Sequence, residues 1–386
     1  MRLAFLSAAA LLSVLTACGG GASGPAAMDA ATTQGSSAAW AWSLPSYFPL
    51  PVVPADNPMS EAKFQLGRSL FYDMRLSVNG IQSCASCHIQ SKAFTDGLAL
   101  SRGATGEFTN RNVQPLGNSA WHNSYTWGRP DVTTLEQQMV IPLFAEHPVE
   151  MGLTPANQDA MLARLGNDHK LNAMFFAAFP AEVAPLTLSN VIKSIAAFQR
   201  GLITADSHYD RFLQGRETLT ATELRGKELF FGDAAKCSRC HGGFNFDAPL
   251  SDPGGNLTFF QNTGLYNIDG AGGFPAPNRG VFEITGQAAD MGKFRVASLR
   301  NVALTAPYMH DGSVVTLEDV IDFYAAGGRL LTTGRDAGDG RLNPYKSPLI
   351  SGFTMTGQDK NDLIAFLKTL TDNTFITNSR FSNPSQ

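Results

Sequence analysis

The chain is poor in cysteine, with five in 386 residues. That scarcity excludes a disulfide-dense scaffold, which spreads many cysteines between distant loops. Long basic runs are missing and the formal net charge is only -4. The chain therefore lacks the electrostatic footprint of a nucleic-acid binder. Beyond the N-terminus, no apolar run is long enough to span a bilayer. Strand signals are scarce, whereas Gly, Pro and Asn-rich loops are frequent. Between Ile89 and Trp121 there is neither histidine nor methionine. What remains is a chain that is 44% hydrophobic, enough at this length for about two domains with real cores.

The N-terminus reads as an export signal. Arg2 supplies a positive start and LAFLSAAALLSVL an apolar stretch too short for a comfortable membrane span. The segment ends Leu15-Thr16-Ala17-Cys18-Gly19, which resembles a bacterial lipobox. A plain cleaved signal peptide with an incidental cysteine is the alternative. The lipoprotein reading is favoured because Cys18 is the one cysteine outside the motifs described next, and a stray thiol in an exported protein needs a reason. Residues 1–17 are thus expected to be the signal peptide. Residues 18–43, small and polar with little periodicity, are read as a flexible tether. A lipid at Cys18 would hold a soluble body in the periplasm or cell envelope, the only membrane contact expected.

The other four cysteines sit in two Cys-x-x-Cys-His motifs: Cys84, Cys87 and His88, then Cys237, Cys240 and His241. Structural zinc pairs usually lie closer in sequence than these motifs do. A thioredoxin-like Cys-x-x-Cys needs no following histidine. Covalent haem c needs all three residues: two thiols bond the haem vinyl groups, and the adjacent histidine ligates the iron. Two such motifs predict two covalently bound haems.

Each motif follows a stretch of helical periodicity. SEAKFQLGRSLFYD precedes the first and TATELRGKELFFGD the second, with Thr220 or Thr222 as candidate cap of the latter. The two stretches form a weak internal repeat. Further helices are expected at 156–165, 187–202, 316–326 and 357–370. The fold class predicted is mostly α: two cytochrome c-like haem domains with long loops, residues 44–215 and 216–386, after the signal peptide and tether. The segment after His88, empty of histidine and methionine, suggests a first haem iron open to small molecules such as peroxide. Met139 or Met151 could still reach in from elsewhere.

Beyond the two motifs, the chain carries RNVQPLGN, SYTWGRPDVTTLEQQ, PVEMG and FRVASLRNVALTAPYMHDGSVVTLEDVIDFY. With these segments, residues 60–374 resemble the bacterial di-haem cytochrome c peroxidase/MauG superfamily. DNPMSEAKFQLGRSLFYDMRLSVNGIQSCASCH, FTDG, NTGLYNIDG, TAPYMHDGS and FITNSRFSNP resemble its MbnH-type branch most closely. In that branch, peroxide drives conversion of a tryptophan to kynurenine on a periplasmic, copper-associated partner protein.

The resemblance implies roles residue by residue. Gln138 and Glu150 match the distal glutamine and glutamate of the peroxidatic haem. Peroxide heterolysis needs one group to move a proton between the two oxygens and one to hold the peroxide. Glu146 is a rival for the acid–base role. Tyr324 matches the distal ligand of the second haem, where cytochrome c peroxidases typically have methionine and MauG has tyrosine. An oxygen donor there favours high-valent iron, whereas a thioether raises the potential. Trp127 matches the tryptophan between the haems. Asn112, Thr305 and Pro307 match an inter-haem calcium site of oxygen donors. His310 matches a histidine near the second haem. Arg111, Arg295 and Arg300 are candidate partners of haem propionates. His122, His147, His169 and His208 receive no role. Trp121 is a surface hopping candidate, while Trp40 and Trp42 are expected to be packing anchors.

Three functions follow in order of preference. The first is a di-haem peroxidase that uses hydrogen peroxide to form high-valent haem iron and oxidise a protein partner, with tryptophan the expected target. The second is a cytochrome c peroxidase fed by a small electron-donor protein. The third is a non-enzymatic electron carrier, which the segment after His88 argues against.

Overall fold

A computed structural model describes residues 40–247 and 259–385. The signal peptide, the lipobox with Cys18 and the tether as far as residue 39 lie outside the described residues. Among the described residues no helix is long and apolar enough to cross a membrane. The helices in chain order are α1 (Glu61–Phe71), α2 (Cys84–Cys87), α3 (Leu135–Phe144), α4 (Gln158–Gly166), α5 (His169–Ala178) and α6 (Leu188–Arg200). They continue as α7 (His208–Leu213), α8 (Ala221–Phe231), α9 (Phe282–Thr285), α10 (Leu317–Ala325), α11 (Gly357–Lys368) and α12 (Asn373–Thr377). Among the described residues strand is confined to two small antiparallel pairs, β1 (Phe260–Gln261) with β2 (Phe294–Arg295) and β3 (Leu330–Leu331) with β4 (Gly338–Asp339). The mostly helical, loop-rich class expected from sequence is the one observed.

The helix preceding each motif is built alike. Ser60 Oγ accepts from the Lys63 N–H at the start of α1. Thr220 caps α8 and exchanges side-chain bonds with Glu223 in a capping box, satisfying amide donors that a helix start leaves free. Each helix then crosses a partner at a glycine. A Cβ on Gly67 would lie 1.8 Å from the Ser194 carbonyl oxygen of α6. A Cβ on Gly226 would lie 1.9 Å from the Asp362 carbonyl oxygen of α11. Main chain touches main chain at both crossings, and only glycine permits that.

The first core gathers Phe64, Leu70 and Phe71 of α1 with Phe175 of α5 and Phe198 of α6. The second gathers Phe230 of α8 with Phe366 and Leu367 of α11 and Ile321 of α10. A third, smaller cluster of Leu265, Phe274, Phe294, Val314 and Phe323 carries Trp127 and Tyr324 on its edge. The C-terminal segment returns to the first core: Phe375 and Phe381 are buried there, Tyr72 donates to the Phe381 carbonyl, and Arg380 pairs with Glu61. Trp40 packs at a tilt on Phe64 at 5.2 Å and edge-on against Trp42 at 5.6 Å, so both tryptophans pack as anchors.

Candidate active site

Both Cys-x-x-Cys-His motifs fold as a single tight turn. Cys84–Cys87 forms α2, started by a reciprocal Ser83–Ser86 capping box. Cys237–Arg239 is a 3-10 turn. In each, the histidine N–H closes the turn on the first cysteine's carbonyl at 2.9 Å. The imidazoles are then fixed in matching ways. His88 Nδ1 meets the Phe94 carbonyl at 2.7 Å. His241 Nδ1 meets the carbonyls of Phe246 and Ala297, both at 3.1 Å. A carbonyl only accepts, so Nδ1 bears the proton and Nε2 keeps its lone pair for a metal. Burial lowers both histidine pKa values, keeping the rings neutral as ligands must be. Phe94 and Phe246 adopt left-handed φ values of 63° and 55°. A bulky residue there costs about 1–2 kcal/mol, a strain both halves bear to present the same carbonyl.

The cysteine chemistry also discriminates. All four thiols are free rather than bridged. Burial pushes Cys84 and Cys237 up to about 12 and Cys87 up to about 11, and raises Cys240. These are protonated thiols, unlike the activated thiolate of a redox Cys-x-x-Cys. Among the described residues no group of three or more His, Cys, Asp or Glu side chains is placed to hold a metal ion.

Each motif opens on a cavity, about 480 Å³ at the first and about 230 Å³ at the second. Either is far larger than a water's share of roughly 30 Å³, so each calls for a bulky occupant. The polar atoms on the walls fit haem. Gln114 Nε2 on the first wall, and Arg295 Nε and His310 Nε2 on the second, are buried without a hydrogen-bond partner. Groups left unpaired at such depth are costly, and a macrocycle bearing carboxylates would satisfy donors of this kind.

Gln138 of α3 and Glu150 of the following loop both line the first cavity. Burial raises the Glu150 pKa. The Glu150 backbone is pinned by the Ala104 N–H on its carbonyl at 2.7 Å. Glu283 is also on this wall, but it is held by Arg111. Glu146 is exposed and lies outside the cavity, which removes it as a rival. Met139 and Met151 are buried on the first wall, and the Met139 sulfur takes a contact from Gln199 Nε2 at 3.5 Å.

Tyr324, on α10, lines the second cavity with Cys237, Cys240 and His241. Burial, then the nearby cysteine sulfurs, raise its pKa. Trp127 and Asn112 line both cavities, and Trp127 Nε1 donates to the Asn112 carbonyl at 2.8 Å. Thr305 and Pro307 lie on the second wall with Asn112. His310 stacks face to face on Phe294 at 3.6 Å, and burial drops its pKa to about 4. Arg300 is elsewhere: its guanidinium is buried in a two-pronged pair with Asp210 at 2.8 and 3.0 Å. It is therefore a structural clasp and not a propionate partner. Sequence reading gave His122 no role. It is buried on the first wall, 3.3 Å from Asp247. Burial lowers its pKa, so that contact joins a neutral ring to a carboxylate and is not an ion pair.

Two Cys-x-x-Cys-His turns, each opening on a cavity, and one tryptophan lining both cavities define a c-type di-haem protein. The model of the di-haem cytochrome c peroxidase family matches residues 61–218. The cytochrome-c peroxidase IdrP1 of Denitromonas iodatirespirans is 34% identical over 363 residues, spanning 89% of this chain and 91% of that protein. The methylamine utilization protein MauG of Methylorubrum extorquens is 33% identical over 319 residues, spanning 82% of this chain and 80% of its own. The crystal structure of a MauG-like protein associated with microbial copper homeostasis is 53% identical, with a TM-score of 0.87 over 90% of this chain and all of that one. The chain belongs to the di-haem cytochrome c peroxidase/MauG family and is a peroxide-acting haem oxidoreductase.

Proposed function

We propose that this enzyme spends peroxide on a protein partner, oxidising it at an aromatic residue, most simply tryptophan, after the manner of the MbnH-type branch. In this reading Cys84 and Cys87 hold the first haem with His88 as its ligand. Cys237 and Cys240 would hold the second, with His241 and Tyr324 as the side chains that would ligate its iron. The bound haems supply iron centres that cleave peroxide and hold the oxidising equivalents. The protein's part at the first cavity is proton movement. Glu150 takes the proton from one peroxide oxygen and delivers it to the leaving one, and the Gln138 amide steadies the peroxide. Glu150 suits the task because, unlike Glu283, its carboxylate has no arginine partner. Trp127, on both walls, passes charge between the centres. Asn112, Thr305 and Pro307 offer oxygens for one Ca²⁺. We also place the chain in the periplasm on a lipid at Cys18, with haem-bearing halves 44–215 and 216–386.

The observation that carries this reading is Tyr324 on the second wall beside the haem cysteines. An oxygen ligand favours stored oxidation, whereas a donor-fed peroxidase profits from a thioether. The test is optical and EPR spectroscopy of the di-ferric protein before and after one equivalent of hydrogen peroxide, without reductant. One high-spin and one low-spin haem, followed by a long-lived two-equivalent oxidised protein, are expected. Reactivity appearing only after half-reduction would instead assign a donor-fed cytochrome c peroxidase.

A further inference from the structure

Tyr266 belongs to neither cavity wall, yet its surroundings are those of an oxidisable residue. Its hydroxyl donates to Asp311 Oδ2 at 2.6 Å. Its ring meets Phe274 at 5.5 Å, and Phe274 lies 6.1 Å from Phe294 and 6.4 Å from His310. Phe294 and His310 both line the second cavity. A packed row of rings thus joins the cavity to a half-buried phenol. The Arg329 guanidinium also sits over that phenol's ring, 4.4 Å from its centroid.

The two charges act together. A cation over the ring opposes a second positive charge there, so losing an electron alone is disfavoured. Losing an electron and a proton together leaves the ring neutral and escapes that penalty. Asp311 is the proton acceptor in place: Oδ2 takes the phenol and Oδ1 takes the Ser313 N–H. Tyr47 is the useful contrast. Its hydroxyl also donates to a carboxylate, Asp210. That carboxylate is already committed to both prongs of Arg300 and to Ser207, so accepting a proton would cost it a buried ion pair.

We propose that Tyr266, with Asp311 as its proton acceptor, is a redox relay between the second haem cavity and an aromatic side chain of the partner protein. This rests on the peroxide-driven reading above. Tyr266 gives one electron to the oxidised second centre, its O–H bond breaks, and the proton forms the carboxylic acid of Asp311. The neutral tyrosyl radical then takes one electron from the partner's aromatic ring and recovers the proton from Asp311. Hydrogen peroxide is the oxidant throughout, and the phenol ends unchanged.

The holoenzyme, grown with ring-deuterated tyrosine, is treated with hydrogen peroxide and followed by absorbance and EPR. The wild type should show a radical signal narrowed by the label. Tyr266→Phe should form the oxidised protein by absorbance as before but lose that signal. Asp311→Asn should slow its appearance on the order of 10²-fold, with a larger solvent isotope effect, and Tyr47→Phe should leave it intact. A label-dependent signal that survives in Tyr266→Phe, or none in the wild type despite the oxidised protein forming, overturns the relay alone. Failure to form the oxidised protein at all overturns the peroxide-driven reading and the relay with it.

Discussion

Replacing Glu150 by glutamine should slow the enzyme while making the protein more stable. The carboxyl is buried on the first cavity wall, and burial raises its pKa above the 4.5 of a free glutamate. A positioned proton carrier contributes about 10²–10⁴-fold to rate, or about 3–5 kcal/mol of barrier. Glutamine keeps the shape and removes the proton site, so the peroxide step should fall by that factor. The pH dependence follows in sign. Accepting the peroxide proton requires the carboxylate, so the wild-type rate declines as pH falls through the raised pKa. That acid limb should vanish in the variant. Stability runs the other way. The fold favours the protonated carboxyl, so its contribution is fully present below the unfolded-state pKa and lost as pH rises through the folded one. At neutral pH the buried charge is a net burden, and Glu150→Gln should raise Tm. Stopped-flow rates across pH and thermal melts of the same preparations measure both effects. A variant that reacts at the wild-type rate with its acid limb intact would refute the role given to Glu150.

Gly226→Ala drives a methyl to 1.9 Å from the Asp362 carbonyl. Overpacking of this kind costs about 1–3 kcal/mol, more than the helix propensity gained by alanine, and Tm should fall by about 2–4 °C for each net kcal/mol. Asp210→Asn leaves the Arg300 guanidinium buried without its counter-charge, a loss of about 3–5 kcal/mol to be read from the denaturant midpoint. Tyr324→Met should raise the second haem's midpoint potential in spectroelectrochemistry and shorten the life of the peroxide-oxidised protein. If neither changes, Tyr324 is not an iron ligand.

Local signals were the legible ones. The Cys-x-x-Cys-His spacing, the amphipathic α1, α6 and α10, and the Thr220 cap of α8 all lie within one element, where period and capping chemistry speak directly. Helix α3 went unread although Thr134 and Gln137 form a capping box at its start. Pro142 inside it and its evenly apolar faces mask the helical period. Helix α5 was missed too, its sole start signal being Asp168. Pairings across long separations left no trace in sequence. Arg300 meets Asp210 from 90 residues away, and His122 meets the sequence-distant Asp247. A loop arginine and a lone histidine look solvated until the fold supplies their partners. The left-handed Phe94 and Phe246 did leave a hint, an aromatic five or six residues after each motif histidine, but nothing local marks it as strained.

The glycine crossings have a bearing on how such an enzyme can diverge. Where α1 meets α6, and α8 meets α11, no side chain intervenes, so no drift in residue size can slide one helix along the other. The two clamps act as fixed jigs, and each carries the same turn of cysteines and histidine. One wall carries Gln138 and Glu150, the other Tyr324. Two crossings built alike can in this way support two walls of different chemistry.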